Sequence, residues 1–334
     1  MIMKQFIVQE NEAGQRLDKL LSKLLNKAPK SFIYKMLRKK NITLNKKRAD
    51  GSEKLVLSDE INVYLSDETF EKFHETAVES ESDTAIDYKL DIVYEDKHIL
   101  IVNKPVGILS QKAEKSDISM VEYITGYLLA TGQITREQLG SFKPAVCNRL
   151  DRNTSGLIIA GKSLAGLQEM SKLLKNRSLS KYYLCIVKGR LEGKKRIEGY
   201  LSKEHSTNKV NIFQQQKEYS EYICTEYEPL KYTGNSESSE SSYTLLKVKL
   251  ITGRSHQIRA HLASIGHPII GDSKYGDRGT NSYFTKKFGL NSQLLHSYQI
   301  IFPELEGEFA YLSAKDFTAR PPAIFERIKD ELFK

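Results

Sequence analysis

"CNRLDRNTSGLIIAGKS", residues 147–163, is the stretch on which the fold turns. It sets a carboxylate, Asp151, between two guanidinium groups, Arg149 and Arg152. A small polar turn, Asn153-Thr154-Ser155-Gly156, follows, and then the apolar run Leu157-Ile158-Ile159-Ala160. Residues 156–163 formally satisfy G-x-x-x-x-G-K-[ST], the phosphate loop of nucleotide-binding enzymes, which would imply a doubly wound parallel sheet. The physics disagrees. A phosphate loop must be small and flexible so that its N–H groups can wrap phosphates. Here its four middle residues are all apolar, two of them β-branched, and read as a buried strand. No apolar strand ending in a suitable Asp follows downstream as a magnesium ligand. The stretch therefore predicts a polar loop carrying Asp151, then a buried strand, with Gly161-Lys162-Ser163 ending it and starting the helix "SLAGLQEMSKLLKN".

The remaining strand signals fit no regular strand–helix alternation. "LDIVYEDKHILIVNKP" reads as two strands joined at Glu95-Asp96-Lys97. "KYYLCIVKG" is another, ended by Gly189, and "YTLLKVKLITG" a long alternating one. Helices are expected at roughly 118–130, 163–176 and 255–265. The low-complexity "KYTGNSESSESS" reads as a loop. The expected class is α+β, a mixed and mostly antiparallel sheet flanked by helices.

At 334 residues, two domains are the natural expectation. No apolar run reaches the roughly 18 residues that would span a bilayer. "MIMKQFIVQENEAG" has no apolar signal core, so cytoplasm and no membrane are expected. Three scattered cysteines, Cys147, Cys185 and Cys224, argue against a disulfide framework and a cysteine zinc site. His256, His261 and His267 make a poor metal site as well. A helical zinc pair wants i, i+4 spacing with a nearby acid, and His256 and His261 are five apart with no Glu between. No metal is expected.

The net charge is +9, unevenly spread. Residues 27–54 hold ten Lys or Arg against Asp50 and Glu53, and an acidic, polar stretch follows. Before the basic stretch, Leu17, Leu20, Leu21, Leu24 and Leu25 form one helix face. Pro29 opens a second helix with Phe32, Ile33, Met36 and Leu37 inward and Lys35, Arg38 and Lys39 outward. "NITLN" and "EINVYL" alternate like short strands. A solvated face explains a single lysine cluster. Here the cations run on through Lys40 into Lys46 and Lys47, a continuous surface suited to phosphate neutralisation. The expected organisation is a small α/β nucleic-acid-binding module at 13–70, an acidic linker at 71–85, and a larger domain at 86–325.

Three segments stand out in the larger domain: "NRLDRNTSGL", "SKYYLCIVKG" and "LITGRSHQIRAHLASIGHPIIGDSKYG". Together with "YEDKHILIVNKPVGILSQ" they resemble, in order, the motifs of the RluA-type pseudouridine synthases, closest to the ribosomal RluC subgroup. The basic module resembles the S-four-type RNA-binding domain over nearly its whole length. The resemblance implies a reaction: uridine in RNA becomes pseudouridine, with no metal, nucleotide or organic cofactor. It also implies large-subunit ribosomal RNA as the substrate, and a monomer is expected.

The resemblance makes Asp151 the essential aspartate and leaves three roles open: attack on the sugar, attack on the base, or deprotonation of the ribose. Arg259 is the arginine paired with it, and Tyr183 the tyrosine that stacks on the flipped base. Strand alternation lets only one of Tyr182 and Tyr183 face the pocket; Lys-x-Tyr favours Tyr183. Arg149 fills the space that the flipped base vacates, Ile258 packs near the target, and Arg254 and His256 contact RNA. Arg152 is a phosphate contact at best. Burial alone would neutralise Asp151, and a neighbouring arginine opposes that. Asn148 departs from the usual His and is expected only to shape the loop. Taken singly, Asp151 can cap a turn, Arg259 can be a surface arginine and Tyr183 a core aromatic. As ordered blocks they carry more weight. Competing readings are the same enzyme on transfer RNA, a silent RNA-binding assembly factor, and a glycosidase, which normally needs a second carboxylate.

Overall fold

The computed structural model describes residues 2–74, 89–204, 209–233 and 242–334. Most of the expected acidic linker, and residues 234–241 of the expected low-complexity loop, lie outside the described residues.

The N-terminal module begins with strand β1 (Ile2–Ile7), followed by helices α1 (Leu17–Leu24) and α2 (Lys30–Arg38). Strands β2 (Ile42–Leu44), β3 (Lys47–Arg48) and β4 (Glu60–Leu65) and helix α3 (Asp67–Phe73) complete it. Its sheet runs β1-β4-β2-β3. The leucine stripe seals it: Leu17, Leu20, Leu21 and Leu25 pack with Ile33, Leu37, Ile42 and Ile61 in one core. Two elements differ from the sequence reading. The strand β1 pairs with β4 from Ile2↔Leu65 to Ile7↔Glu60, ahead of the expected start at 13. Helix α3, capped by the Ser66 hydroxyl, reaches into the stretch read as linker, because Phe70 buries against the module.

The larger body starts with β5 (Ile92–Glu95), β6 (Ile99–Lys104), α4 (Met120–Ala130), α5 (Gln138–Ser141), β7 (Ala145–Val146), β8 (Ser155–Gly161) and α6 (Leu164–Lys175). Then come β9 (Ser180–Lys188), β10 (Lys195–Glu204), β11 (Lys209–Phe213), β12 (Glu221–Tyr232) and β13 (Tyr243–Leu250). It ends with α7 (Gln257–Ser264), α8 (Arg278–Phe288), β14 (Leu295–Ile301), β15 (Asp316–Thr318) and α9 (Ala323–Leu332). The main path of the sheet is β11-β10-β12-β13-β9-β14-β8-β6-β5. Every pairing in it is antiparallel except β14 with β8. The class is the α+β architecture expected.

The apolar run 157–160 is β8, buried along its whole length, as a strand covered on both faces must be. Alternation divides it. Ile158 and Ala160 join Leu100, Val102 and helix α4 on one side, while Leu157 and Ile159 join Ile99, Ile101 and helix α6 on the other. Gly156 has φ +112°, and a Cβ there would lie 2.2 Å from the Ser297 carbonyl. Only glycine lets β14 run beside β8 at that point. Gly161 closes β8 and the Ser163 hydroxyl caps α6, so the phosphate-loop match has no phosphate-binding shape. The two bodies meet where Lys23 donates to the Ser141 carbonyl (2.8 Å) and Lys97 pairs with Glu10 (2.9 Å).

Candidate active site

The loop between β7 and β8 carries Asp151 to the mouth of a cavity of about 530 Å³, within the roughly 300–1,000 Å³ range of small-ligand pockets. Its lining includes Arg149, Asp151, Lys181, Tyr183, Arg254, His256, Ile258 and Arg259. A second cavity of about 600 Å³ adjoins it and shares Arg149, Asp151, Arg254, His256 and Arg259. Residues from three separated segments therefore meet at one place.

Asp151 is partly exposed and accepts a hydrogen bond from Arg259 Nη1 at 2.7 Å. The remaining edge of that guanidinium is held by Asp272, with Nε donating to Oδ2 (2.7 Å) and Nη2 to Oδ1 (2.9 Å). Such a fork is the geometry in which arginine is most strongly oriented. Asp272 is fully buried, and its Oδ1 also accepts from the Lys274 and Tyr275 N–H groups. Burial pulls the Asp272 carboxyl upward, and the Arg259 bonds and charge outweigh it, holding the group below its ordinary range. For Arg259 burial works against the charge, but the two carboxylates raise its pKa above the ordinary value. Tyr275 lies against the guanidinium (5.3 Å to its ring) and shares a hydrogen bond with His256 Nδ1 (2.9 Å).

Helix α7 is fixed by a buried polar network. Gln257 donates to the Cys224 carbonyl and the Thr225 hydroxyl, both at 3.0 Å, and accepts from Thr252 at 2.8 Å. His261 is spent in this network, bonded to Thr225 at 3.0 Å, and His267 bonds the Lys188 carbonyl. Burial lowers the pKa of His256, so it stands in the cavity as neutral imidazole at neutral pH. Among the described residues no cluster of three or more His, Cys, Asp or Glu is placed to hold a metal ion.

Tyr183, not Tyr182, faces the cavity. Tyr183 is buried in the core beneath Asp151, and burial pushes its phenol up to about 12, so it keeps its proton. Tyr182 points to the other face, with Lys247 Nζ 4.5 Å from its ring centroid. Ile258 is buried in the lining. Arg149 is exposed and belongs to both cavities, where it can reach a nucleotide. Arg254 is held at the rim by Glu221 (2.9 Å). Arg152 lines only the second cavity and lies 3.8 Å from Asp117. Asn148 shapes the loop, donating to the Leu157 carbonyl (3.2 Å) and accepting from the Ile159 N–H (2.8 Å). Lys35, Arg38, Lys39, Lys40, Lys46 and Lys47 are all exposed at the end of α2 and the β2–β3 turn. Among the described residues none of these six forms an ion pair.

Asp272, Tyr275 and Lys104 escaped the sequence reading. Lys104 is fully buried, and its ammonium donates to the carbonyls of Pro105 (2.8 Å), Ile108 (2.9 Å) and Arg152 (3.0 Å). It ties the loop after β6 to the loop of Asp151. Burial draws its pKa down to about 7, against the pull of the Asp151 charge. A lysine ending the apolar run "ILIVNK" was the available signal, as was an aspartate directly after "PIIG".

The arrangement presents an arginine-bound carboxylate beside an apolar, aromatic wall, in a pocket whose other charged lining residues are Lys and Arg. The profile of the RNA pseudouridylate synthase family matches residues 98–264. The chain is 31% identical over 302 residues to the ribosomal large subunit pseudouridine synthase C of Escherichia coli K12, covering 90% of this chain and 88% of that protein. It is 30% identical over 305 residues to an uncharacterised RNA pseudouridine synthase of Mycoplasma genitalium, covering 91% of each. Among solved structures, human RNA pseudouridylate synthase domain containing 4 superposes with a TM-score of 0.55 at 20% identity, over 72% of this chain and 92% of that one, which supports the fold. The chain belongs to the RNA pseudouridylate synthase family and is an enzyme that isomerises uridine in RNA to pseudouridine.

Proposed function

We propose that the enzyme modifies large-subunit ribosomal RNA, with Asp151 as its catalytic aspartate. The observation that carries the assignment of Asp151 is the 2.7 Å bond from Arg259, itself gripped by buried Asp272, which orients one carboxylate into the cavity. Such pre-orientation costs nothing at the moment of reaction. Tyr183 stacks on the flipped base, Ile258 packs against it, and Arg149 occupies the gap left in the RNA. Arg254 and His256 hold neighbouring nucleotides. The ribosomal substrate is supported by relatives named ribosomal large subunit pseudouridine synthase C, such as those of Escherichia coli and Vibrio cholerae. We assign RNA docking to the N-terminal module, which runs from β1 through α3, and catalysis to the larger body that runs from β5 through α9. The enzyme works as a cytoplasmic monomer without a nucleotide cofactor.

The test is tritium release from RNA labelled at carbon 5 of uridine, on unmodified large-subunit ribosomal RNA and, in parallel, transfer RNA. Wild type should release tritium from the ribosomal RNA, and Asp151→Asn should release none while still binding. Preferential release from transfer RNA would overturn the substrate assignment, and an active Asp151→Asn would overturn the site.

A further inference from the structure

On β9, Lys181 stands two residues before Tyr183, and both side chains line the cavity that holds Asp151. Residues so spaced share one face of a strand. Lys181 is partly buried, and among the described residues no carboxylate or carbonyl accepts a hydrogen bond from its ammonium. The charge that acts on it is that of another cation, Arg177, which also lines the cavity and sits just past the end of α6 in a left-handed conformation (φ 58°). Arg177 likewise has no carboxylate partner among the described residues. The one acid in the cavity lining is Asp151, already engaged by Arg259. Burial, then the charge of Arg177, lowers the pKa of Lys181. A partly desolvated cation beside a second cation is unfavourable unless an anion joins them.

Gly253 completes the setting. A Cβ at that position would lie 3.6 Å from Lys181 Nζ, an ordinary contact, which puts the backbone of Gly253 beside the ammonium. We propose that Lys181 and Arg177 form a phosphate subsite that takes a backbone phosphodiester flanking the flipped uridine, next to the tyrosine on which its base stacks. The inference rests on RNA as substrate and on this cavity as the place of reaction. Lys181 is a binding residue in this reading. It fixes the nucleotide at the backbone while Tyr183 fixes it at the base, and the phosphate supplies the counter-charge that the protein lacks.

The experiment pairs enzyme variants with RNA in which one flanking phosphate at a time is a neutral methylphosphonate. The RNA is a fragment of large-subunit ribosomal RNA on which wild type releases tritium, read in single turnover with enzyme below saturation, where the rate reports binding as well as chemistry. That unmodified control tests the synthase reading separately. At one flanking position the neutral linkage should slow wild type by about ten- to a hundredfold, the effect of removing one charge-assisted hydrogen bond. Lys181→Met should be slowed comparably on unmodified RNA and little further by the neutral linkage at that position. Lys181→Arg should recover most of the rate and the sensitivity. If the losses in Lys181→Met and the neutral RNA multiply, or if wild type is indifferent to both flanking phosphates, the subsite does not exist.

Discussion

Asp272 holds two nitrogens of Arg259, and Asp151 holds a third, so one guanidinium is shared between a buried carboxylate and one that opens on the cavity. The division is unequal. Asp272 is fully enclosed and bonded to two backbone N–H groups, whereas Asp151 keeps a partly open face toward the cavity. The buried partner fixes the arginine, and the arginine then fixes the carboxylate of Asp151.

Asp272→Asn should therefore act at a distance from the substrate. Removing one partner of a buried ion pair leaves the other uncompensated, at a cost on the order of 3 kcal/mol. The urea midpoint should fall accordingly. Below both midpoints, kcat should drop by at least about tenfold, a barrier change of about 1.4 kcal/mol, with KM little changed. Unchanged kcat in the folded variant would show that Arg259 needs no anchor.

Asn148 touches the backbone of β8 and nothing that reacts. Asn148→His can keep a donor and an acceptor, though on opposite edges of the ring. Single-turnover rates should stay within about tenfold of wild type, roughly 1.4 kcal/mol. A larger loss would mean that the loop is tuned to the amide.

His296 gives the fold an acid limit. It is fully buried between the Ser155 hydroxyl (2.9 Å) and the Ala319 carbonyl (3.0 Å), which together fit a neutral ring with its proton on Nε2. Burial lowers its pKa to about 4 from the ordinary 6.5. The unfolded chain therefore binds the proton first, and stability present above pH 6.5 drains away as pH falls toward 4. The contribution is about 3 kcal/mol. Thermal unfolding of His296→Gln should show a shallower loss between pH 6.5 and 4 than wild type, and parallel curves would refute the assignment.

The exposed cations of the small module should act through long-range charge. Neutralising Lys39, Lys40, Lys46 and Lys47 should weaken binding to large-subunit ribosomal RNA. The slope of log K against log salt should fall by about one for each phosphate that the protein no longer neutralises. An unchanged slope would remove this surface from the RNA interface.

Patterns that repeat along the chain were legible without coordinates. The leucine stripe of α1, the buried run of β8 and the alternating β13 follow from periods of 3.6 and 2, because burial acts on neighbouring residues. The strand β1 went unread, since its pairing partner lies at the far end of the module. Ordered motifs also pointed to Asp151, Arg259 and Tyr183, and alternation required that only one of two adjacent tyrosines face the pocket. Packing decided which: Tyr183 goes into the core under Asp151, and Tyr182 lies beneath Lys247. Asp272, Lys104 and Lys181 were decided by tertiary structure alone. An aspartate, or a lysine on a strand, carries no mark of the groups it will meet. Their roles depend on which distant carbonyls, guanidinium groups and cavities the sheet brings beside them, and on the loss of water that makes those meetings strong.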